Sequence, residues 1–220
     1  MRLSLILFTV ILSGASVPGA YAQTDAEIVF FIASKSIAVV TTDNNKLGSA
    51  VAYYPLNNGW TGLLTNCHTL RGATSLRVSQ KGKSVEAMFL AGDPDADICL
   101  IAARMELPVP DTRNFFDLRV GEAVFAIGSP KGLELSISNG IISQLRGTIF
   151  ESLLIQTTAP ISPGSSGGGL FDARGRLVGL TTFYLDQAQG LNFAVSVNMA
   201  NSLSRSAKAR KLSDLADSAK

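Results

Sequence analysis

The sequence predicts an all-β fold of two six-stranded antiparallel barrels followed by a C-terminal helix. Two observations carry this. Short runs rich in β-branched and aromatic residues recur at regular spacing, separated by Gly, Asn, Asp and Pro turns, as all-β chains require. The runs also fall into two sets, divided at Pro108, Pro110 and Asp111. With 220 residues, 46% of them hydrophobic, the chain can build one domain, or two small subdomains, with real cores.

The chain opens with a targeting signal over residues 1–22. Arg2 supplies the positive region, Leu3 to Leu12 the apolar core, and Ala20-Tyr21-Ala22 the small-residue cleavage site. That core is about half of the roughly 20 apolar residues a membrane-spanning helix needs. Cleavage after Ala22 is expected, with an uncleaved anchor as the alternative, and no membrane association is expected after cleavage. The mature domain then spans residues 23–220, exported to the periplasm or the extracellular space. Ala26 to Ile32 reads as a short helix capping the body.

The first barrel is expected over about residues 36–107. Its runs are Ile37 to Thr42, Gly48 to Tyr54, Thr61 to Thr65, Ser75 to Ser79, Ser84 to Leu90 and Asp97 to Ala102. Asp43 to Lys46 and Asn57-Asn58-Gly59 read as turns. The second barrel, about residues 119–197, is expected from Ala123 to Ile127, Leu133 to Ser138, Gly140 to Leu145, Ser152 to Thr158, Leu177 to Phe183 and Leu191 to Val195. No internal repeat is visible. The polar, alanine-rich stretch over about 198–216, with Met199, Leu203, Leu212 and Leu215 as apolar positions, reads as a helix docking on the second barrel.

Charge narrows the function. A net charge of +2 argues against nucleic-acid binding, which draws on a strong basic excess. The basic residues Lys208, Arg210 and Lys211 read as a solvated helix face. One histidine, and no cysteine cluster, argues against a zinc site; no metal and no cofactor are expected.

The chemistry centres on Pro163-Gly164-Ser165-Ser166-Gly167-Gly168-Gly169. Glycine permits backbone conformations that bring N–H groups close to a ligand. The N–H groups of Gly164 and Ser166 could point into one small space, an oxyanion hole for acyl transfer. A serine nucleophile needs a base, and the base an orienting group. The chain's one histidine, His68, is the candidate base. Asp97 heads an apolar run and is the candidate orienter, with Asp93 and Asp95 as rivals beside Pro94. Cys67 adjoins His68 and Cys99 lies two residues after Asp97, so contact between His68 and Asp97 brings the cysteines close. A disulfide and two buried thiols are the alternatives.

Five blocks resemble trypsin/chymotrypsin-fold serine endopeptidases, and among them the bacterial HtrA (Deg-type) protease domain. They are Leu63 to His68, Asp97 to Ile101, Ala126 to Gly132, Ser138 to Ser143 and Ile155 to Gly168, spread over about residues 36–198. The order His, Asp, Ser is that of chymotrypsin. The family's G-x-S-G-G spacing selects Ser166 over its neighbour Ser165. The resemblance implies the trypsin-like double barrel and a His68–Asp97–Ser166 triad, with Thr182 adding a hydrogen bond to Asp97. It implies a backbone at Thr182, Phe183 and Tyr184 that pairs with substrate as an added strand. Where trypsin-type zymogens carry an aspartate this chain has Ser165, so activation by a newly cut N-terminus is not expected. The sequence ends at Lys220, so no PDZ domain is expected to accompany the protease domain.

No acid lies in Thr158-Ala159-Pro160-Ile161, where a trypsin-like pocket would need one. Ile161 and Phe193 are the candidate lining of a small apolar pocket, and cleavage after Val or Ala is expected. The functional expectation is a serine endopeptidase acting on proteins or peptides. The alternative is a catalytically silent peptide- or protein-binding module on the same fold.

Overall fold

The β-type runs form two closed barrels, each with six strands ordered first, second, third, sixth, fifth, fourth. The first contains β1 (Ile37–Thr42), β2 (Leu47–Pro55), β3 (Thr61–Thr65), β4 (Leu76–Gln80), β5 (Lys83–Asp93) and β6 (Ile98–Ala103). The second contains β7 (Ala123–Gly128), β8 (Ser136–Ile149), β9 (Ser152–Thr157), β10 (Gly169–Asp172), β11 (Leu177–Tyr184) and β12 (Asn192–Ser196). The computed structural model describes residues 24–130, 135–149, 152–185, 190–203 and 211–215. The expected targeting signal, residues 1–22, lies outside the described residues.

Neighbouring strands in both barrels pair antiparallel. The two barrels therefore share one topology, although no repeat is legible in the sequence. Closure of each sheet removes its free edges, and alternate side chains fill the interior. Val40, Leu63, Val78 and Ile101 lie in the core of the first barrel. Ile142, Ile155, Leu170 and Val178 lie in the core of the second. A third apolar cluster joins them: Ile37, Val51 and Leu64 from one barrel meet Phe125, Phe171 and Leu180 from the other. Strands such as β6, buried along almost their whole length, face a barrel core on one side and this seam on the other.

The opening helix is present as α1 (Asp25–Ala33). A reciprocal capping box starts it: the Glu27 N–H donates to Thr24 Oγ1 (3.3 Å), and the Thr24 N–H donates to Glu27 Oε2 (2.9 Å). Val29 and Ala33 anchor α1 on the seam between the barrels.

Three sequence expectations change. The runs read as separate strands before and after Asn139-Gly140 form one long strand, β8. Asn139 and Gly140 stay in the ladder opposite Phe125 and Val124. Gly140 serves a close approach instead of a turn, because a Cβ there would lie 2.2 Å from the Ala159 nitrogen. The strand β10 was hidden in the glycine-rich block. Finally, the C-terminal segment does not dock on the second barrel alone. Val197, Ala200 and Leu203 pack in the seam, while Leu215 is buried in the first barrel's core. Residues 204–210 and 216, the remainder of the predicted helix, lie outside the described residues.

Candidate active site

The first barrel presents His68 and Asp97 through the pairing of β3 with β6. Thr65 stands opposite Cys99, so the residues just beyond each strand emerge side by side. After β3 the chain turns at Asn66 into a single helical turn, α2 (Cys67–Leu70), which carries His68. Cys67 and Cys99 form a disulfide across this junction, with Cα atoms 5.0 Å apart. The Asn66 side chain donates to the Asp97 carbonyl oxygen (2.8 Å). Lys46 Nζ donates to the carbonyl oxygens of His68 (3.1 Å) and Arg71 (2.9 Å), satisfying the end of α2.

Asp97 grips the histidine twice. Its Oδ1 accepts from the His68 backbone N–H (2.9 Å), and its Oδ2 lies 2.7 Å from His68 Nδ1. A carboxylate only accepts, so Nδ1 carries the hydrogen and Nε2 presents a lone pair. Thr182 Oγ1 donates to Asp97 Oδ2 at 2.6 Å. Asp97 adopts φ +53°, a left-handed conformation that aspartate tolerates better than most residues. The rivals are engaged elsewhere. Asp93 Oδ1 accepts from the N–H groups of Asp95 and Ala96 (both 3.2 Å), building the turn that delivers Asp97. Asp95 is exposed.

The second barrel presents Ser166 between β9 and β10, on two successive turns. In Ser162–Ser165 the Ser165 N–H donates to the Ser162 carbonyl oxygen (2.9 Å). Pro163 is second, and Gly164, at φ +93°, is third, the requirement of a type II turn. In Ser165–Gly168 the Gly168 N–H donates to the Ser165 carbonyl oxygen (2.8 Å), with Gly167 third at φ +81°. Ser166 sits on the second turn. The N–H groups of Gly164 and Ser166 donate to no other described residue, so both are open to a ligand. Ser165 packs against Gly128, on the wall of a cavity of about 160 Å³.

Ser166 Oγ donates to the Thr182 carbonyl oxygen at 3.2 Å, and not to His68. Thr182 thus touches both halves of the site, its hydroxyl on Asp97 and its carbonyl on Ser166. A bulge between β11 and β12 at Thr181/Phe183 takes Thr182 out of the regular ladder and makes this double contact. Beyond it, Phe183 and Tyr184 pair with Phe193 and Asn192 on one edge only. Phe183, Tyr184 and Leu185 are 39%, 39% and 46% exposed, so this stretch has an open edge beside Ser166. Phe193 stacks on Phe183 with ring centroids 4.7 Å apart. Ile161 lines the 160 Å³ cavity together with Ser162 and Ser165, and Phe193 is not on its walls.

Sequence reasoning missed several polar residues that set this geometry. Ser49, Thr181 and Lys46 all hold backbone carbonyls of the site or its supports. Nothing in local composition marks them, because their partners lie in other segments of the chain. Among the described residues, no group of three or more His, Cys, Asp or Glu side chains could hold a metal ion.

Comparison with known proteins bears on the family of the chain. Residues 48–180 match the trypsin-like peptidase domain family. The serine endoprotease DegS of Haemophilus influenzae is 35% identical over 173 residues, 73% of this chain and 50% of that protein. The serine protease Do-like HtrA of Bacillus subtilis is 34% identical over 192 residues, 80% of this chain and 42% of that one. The chain thus spans half or less of the length of these curated relatives. Among solved structures, the HtrA-type protease AlgW with a tripeptide superposes at a TM-score of 0.71 and 32% identity, covering 79% of this chain and 60% of that one. A serine endoprotease from Yersinia pestis superposes at 0.70 and 28% identity, covering 82% and 65%.

Proposed function

Since this chain belongs to the trypsin-like peptidase family, we propose that it is an exported serine endopeptidase working through His68, Asp97 and Ser166. The observation that carries the proposal is the hydrogen-bonded line from His68 through Asp97 and Thr182 to Ser166, with two open N–H groups beside the serine. For reaction, the Ser166 hydroxyl turns from the Thr182 carbonyl to His68 Nε2. The histidine takes its proton as Oγ attacks the scissile carbonyl. Asp97 stabilises the resulting imidazolium through Nδ1. The Gly164 and Ser166 N–H groups receive the oxyanion, an interaction strongest in the transition state. His68 then protonates the leaving amine, and water, activated by the same base, releases the acyl group from Ser166. No cofactor enters any step.

Substrate would lie as an added strand along Thr182, Phe183 and Tyr184, whose outer edge is open. Uncharged surroundings at Thr158 to Ile161 and a small cavity lined by Ile161 support cleavage after small aliphatic residues; Phe193, stacked on Phe183 away from that cavity, contributes nothing to it. The segment 1–22 and the Cys67–Cys99 disulfide support a periplasmic or extracellular location, where disulfides persist. Domain limits of 1–22 for the signal and 23–220 for the protease complete this reading, with proteins or peptides as partners. A library in which charged residues are preferred before the cut would exclude the small-aliphatic assignment.

A second reading rests on the resting hydroxyl. Ser166 Oγ is bonded to Thr182 and not to His68, as in a silent peptide-binding module. Fluorophosphonate labelling read by intact mass separates the two. One adduct on the wild type and none on Ser166→Ala supports the peptidase. No adduct on either, with peptide binding retained, supports the binding module. Equal labelling of both would move the nucleophile to Ser165.

A further inference from the structure

Ser49, on β2 of the first barrel, reaches across the seam and holds the turn that carries the two open N–H groups. It is fully buried, at 0% exposure. Its Oγ donates to the Gly164 carbonyl oxygen at 3.0 Å and accepts from the Ser129 N–H at 2.9 Å. Its own N–H donates to the Ser166 carbonyl oxygen at 2.8 Å, and its carbonyl accepts from Thr65 Oγ1 at 2.7 Å. A hydroxyl has one hydrogen. With the Ser129 N–H occupying a lone pair, that hydrogen is committed to Gly164.

The peptide planes of the loop are not held alike. The Ser165–Ser166 plane, which carries the Ser166 N–H, is fixed through the Ser165 carbonyl by Thr181 Oγ1 (2.7 Å) and the Gly168 N–H (2.8 Å). The Ser166–Gly167 plane is fixed at both ends, by the Ser49 and Thr181 backbones. The Pro163–Gly164 plane, which carries the other donor, has no hydrogen bond to a described residue. Its orientation is inherited from the next plane. That plane is held by the Ser165 N–H on Ser162 and by Ser49 Oγ on the Gly164 carbonyl.

We infer that Ser49 is a positioning residue for catalysis. Its hydroxyl fixes the Gly164 carbonyl and thereby aims the Gly164 N–H at the developing oxyanion. The inference rests on the serine peptidase reading above and adds to it a residue from the opposite barrel. Positioning of a transition-state donor appears in kcat more than in KM.

The test compares Ser49→Ala with Thr61→Val. Thr61 is a matched control: it too is buried in the first barrel, with Oγ1 donating to the Met105 carbonyl oxygen (2.7 Å) and accepting from the Leu107 N–H (3.4 Å). Both variants should lower the melting temperature by similar amounts. Only Ser49→Ala should lower kcat, by about tenfold with KM within twofold, and slow fluorophosphonate labelling in step. In the 15N relaxation of the mature protein, not reacted with fluorophosphonate, the Gly164 amide should broaden in Ser49→Ala and stay as in wild type in Thr61→Val. Unchanged kcat in Ser49→Ala, an equal kcat loss in Thr61→Val, or an undisturbed Gly164 amide would each overturn the inference. If the wild type itself takes no label, the peptidase reading fails, while the amide measurement still decides whether Ser49 holds the turn.

Discussion

The two barrels have one topology but hold their halves of the site by different means. His68 and Ser166 occupy equivalent places, each in the connection between a barrel's third and fourth strands. On the first barrel that connection is tied covalently. The Cys67–Cys99 disulfide and the two hydrogen bonds to Asp97 fix the histidine by side chains. On the second barrel it is the backbone of the connection that is held, by its own turns and by hydroxyls and backbone groups from other strands. Gly164 and Gly167 take conformations closed to most residues, and the carbonyls of Ser162, Gly164, Ser165, Ser166 and Gly168 each have a donor. In the proposed mechanism the difference follows from the task. A base needs its ring aimed, which a side-chain network does. An oxyanion hole needs N–H groups aimed, which only backbone geometry does.

If the two halves act as one machine, removing either chemical group gives the largest effect. Ser166→Ala and His68→Ala are each expected to lower kcat by about 10⁴-fold or more, and the double variant by no more than the worse single one. Both singles should melt near the wild type, since neither side chain is in a core. Additive losses would show that the barrels act independently. The disulfide comes next. Its 32-residue separation corresponds to about 3–4 kcal/mol of loop-closure entropy. Cys67→Ala with Cys99→Ala should lose about that much in urea unfolding, yet keep kcat within tenfold, because the His68–Asp97 contacts do not pass through sulfur. A kcat loss as large as that of His68→Ala would mean that the disulfide itself aims the base.

The first barrel was more legible in sequence than the second. All six of its expected runs lie on its six strands. In the second, Gly140 read as a break and β10 was lost among the glycines, because glycine marks close approaches as well as turns. The Ser166, His68 and Asp97 blocks could be picked out because each chemistry needs a particular residue type. Ser49, Thr181, Ser129 and Lys46 could not. Their roles exist only once distant strands are folded together, and a serine that holds a carbonyl looks like any other serine in a strand. The common topology was equally hidden, since it resides in strand order and not in residue identity.

The backbone half is tested most directly at Gly167. A Cβ there would lie 2.2 Å from the Ser49 carbonyl oxygen, and the backbone is left-handed. Gly167→Ala must move the Ser166 turn away from β2. A displacement of about 1 Å is enough to lower kcat/KM by about a hundredfold. Gly82→Ala is the control: its φ is +79° with open space around it, so it carries the strain without the collision. It should cost about 1–2 kcal/mol of stability and leave kcat unchanged. Equal activity losses in both would show that backbone strain, and not the collision with Ser49, lowers activity.

The smallest expected effect is at the back of the second barrel, where Asp172 ends β10. Burial pushes its carboxyl pKa up. Hydrogen bonds from the Arg176 side chain, the Arg176 and Arg174 N–H groups, and the Arg176 charge outweigh burial and hold it below the ordinary 3.8. Arg176 Nη2 lies 2.7 Å from Oδ2, and Arg113, itself paired with Glu122, lies 3.6 Å away. With the folded pKa below the unfolded one, the unfolded chain binds more protons as pH falls past 3.8. The carboxylate's stabilisation is therefore complete above that value and is lost as pH drops through the folded pKa. Asp172→Asn should cost about 1–3 kcal/mol at pH 7 by leaving Arg176 poorly satisfied. The gap to wild type should close as pH falls below 4. Activity should persist at neutral pH, because the Ser166 turn hangs on Ser49 and Thr181 and not on the far end of β10. A gap that stays constant with pH would mean that the Asp172 contribution is one of packing and not of charge.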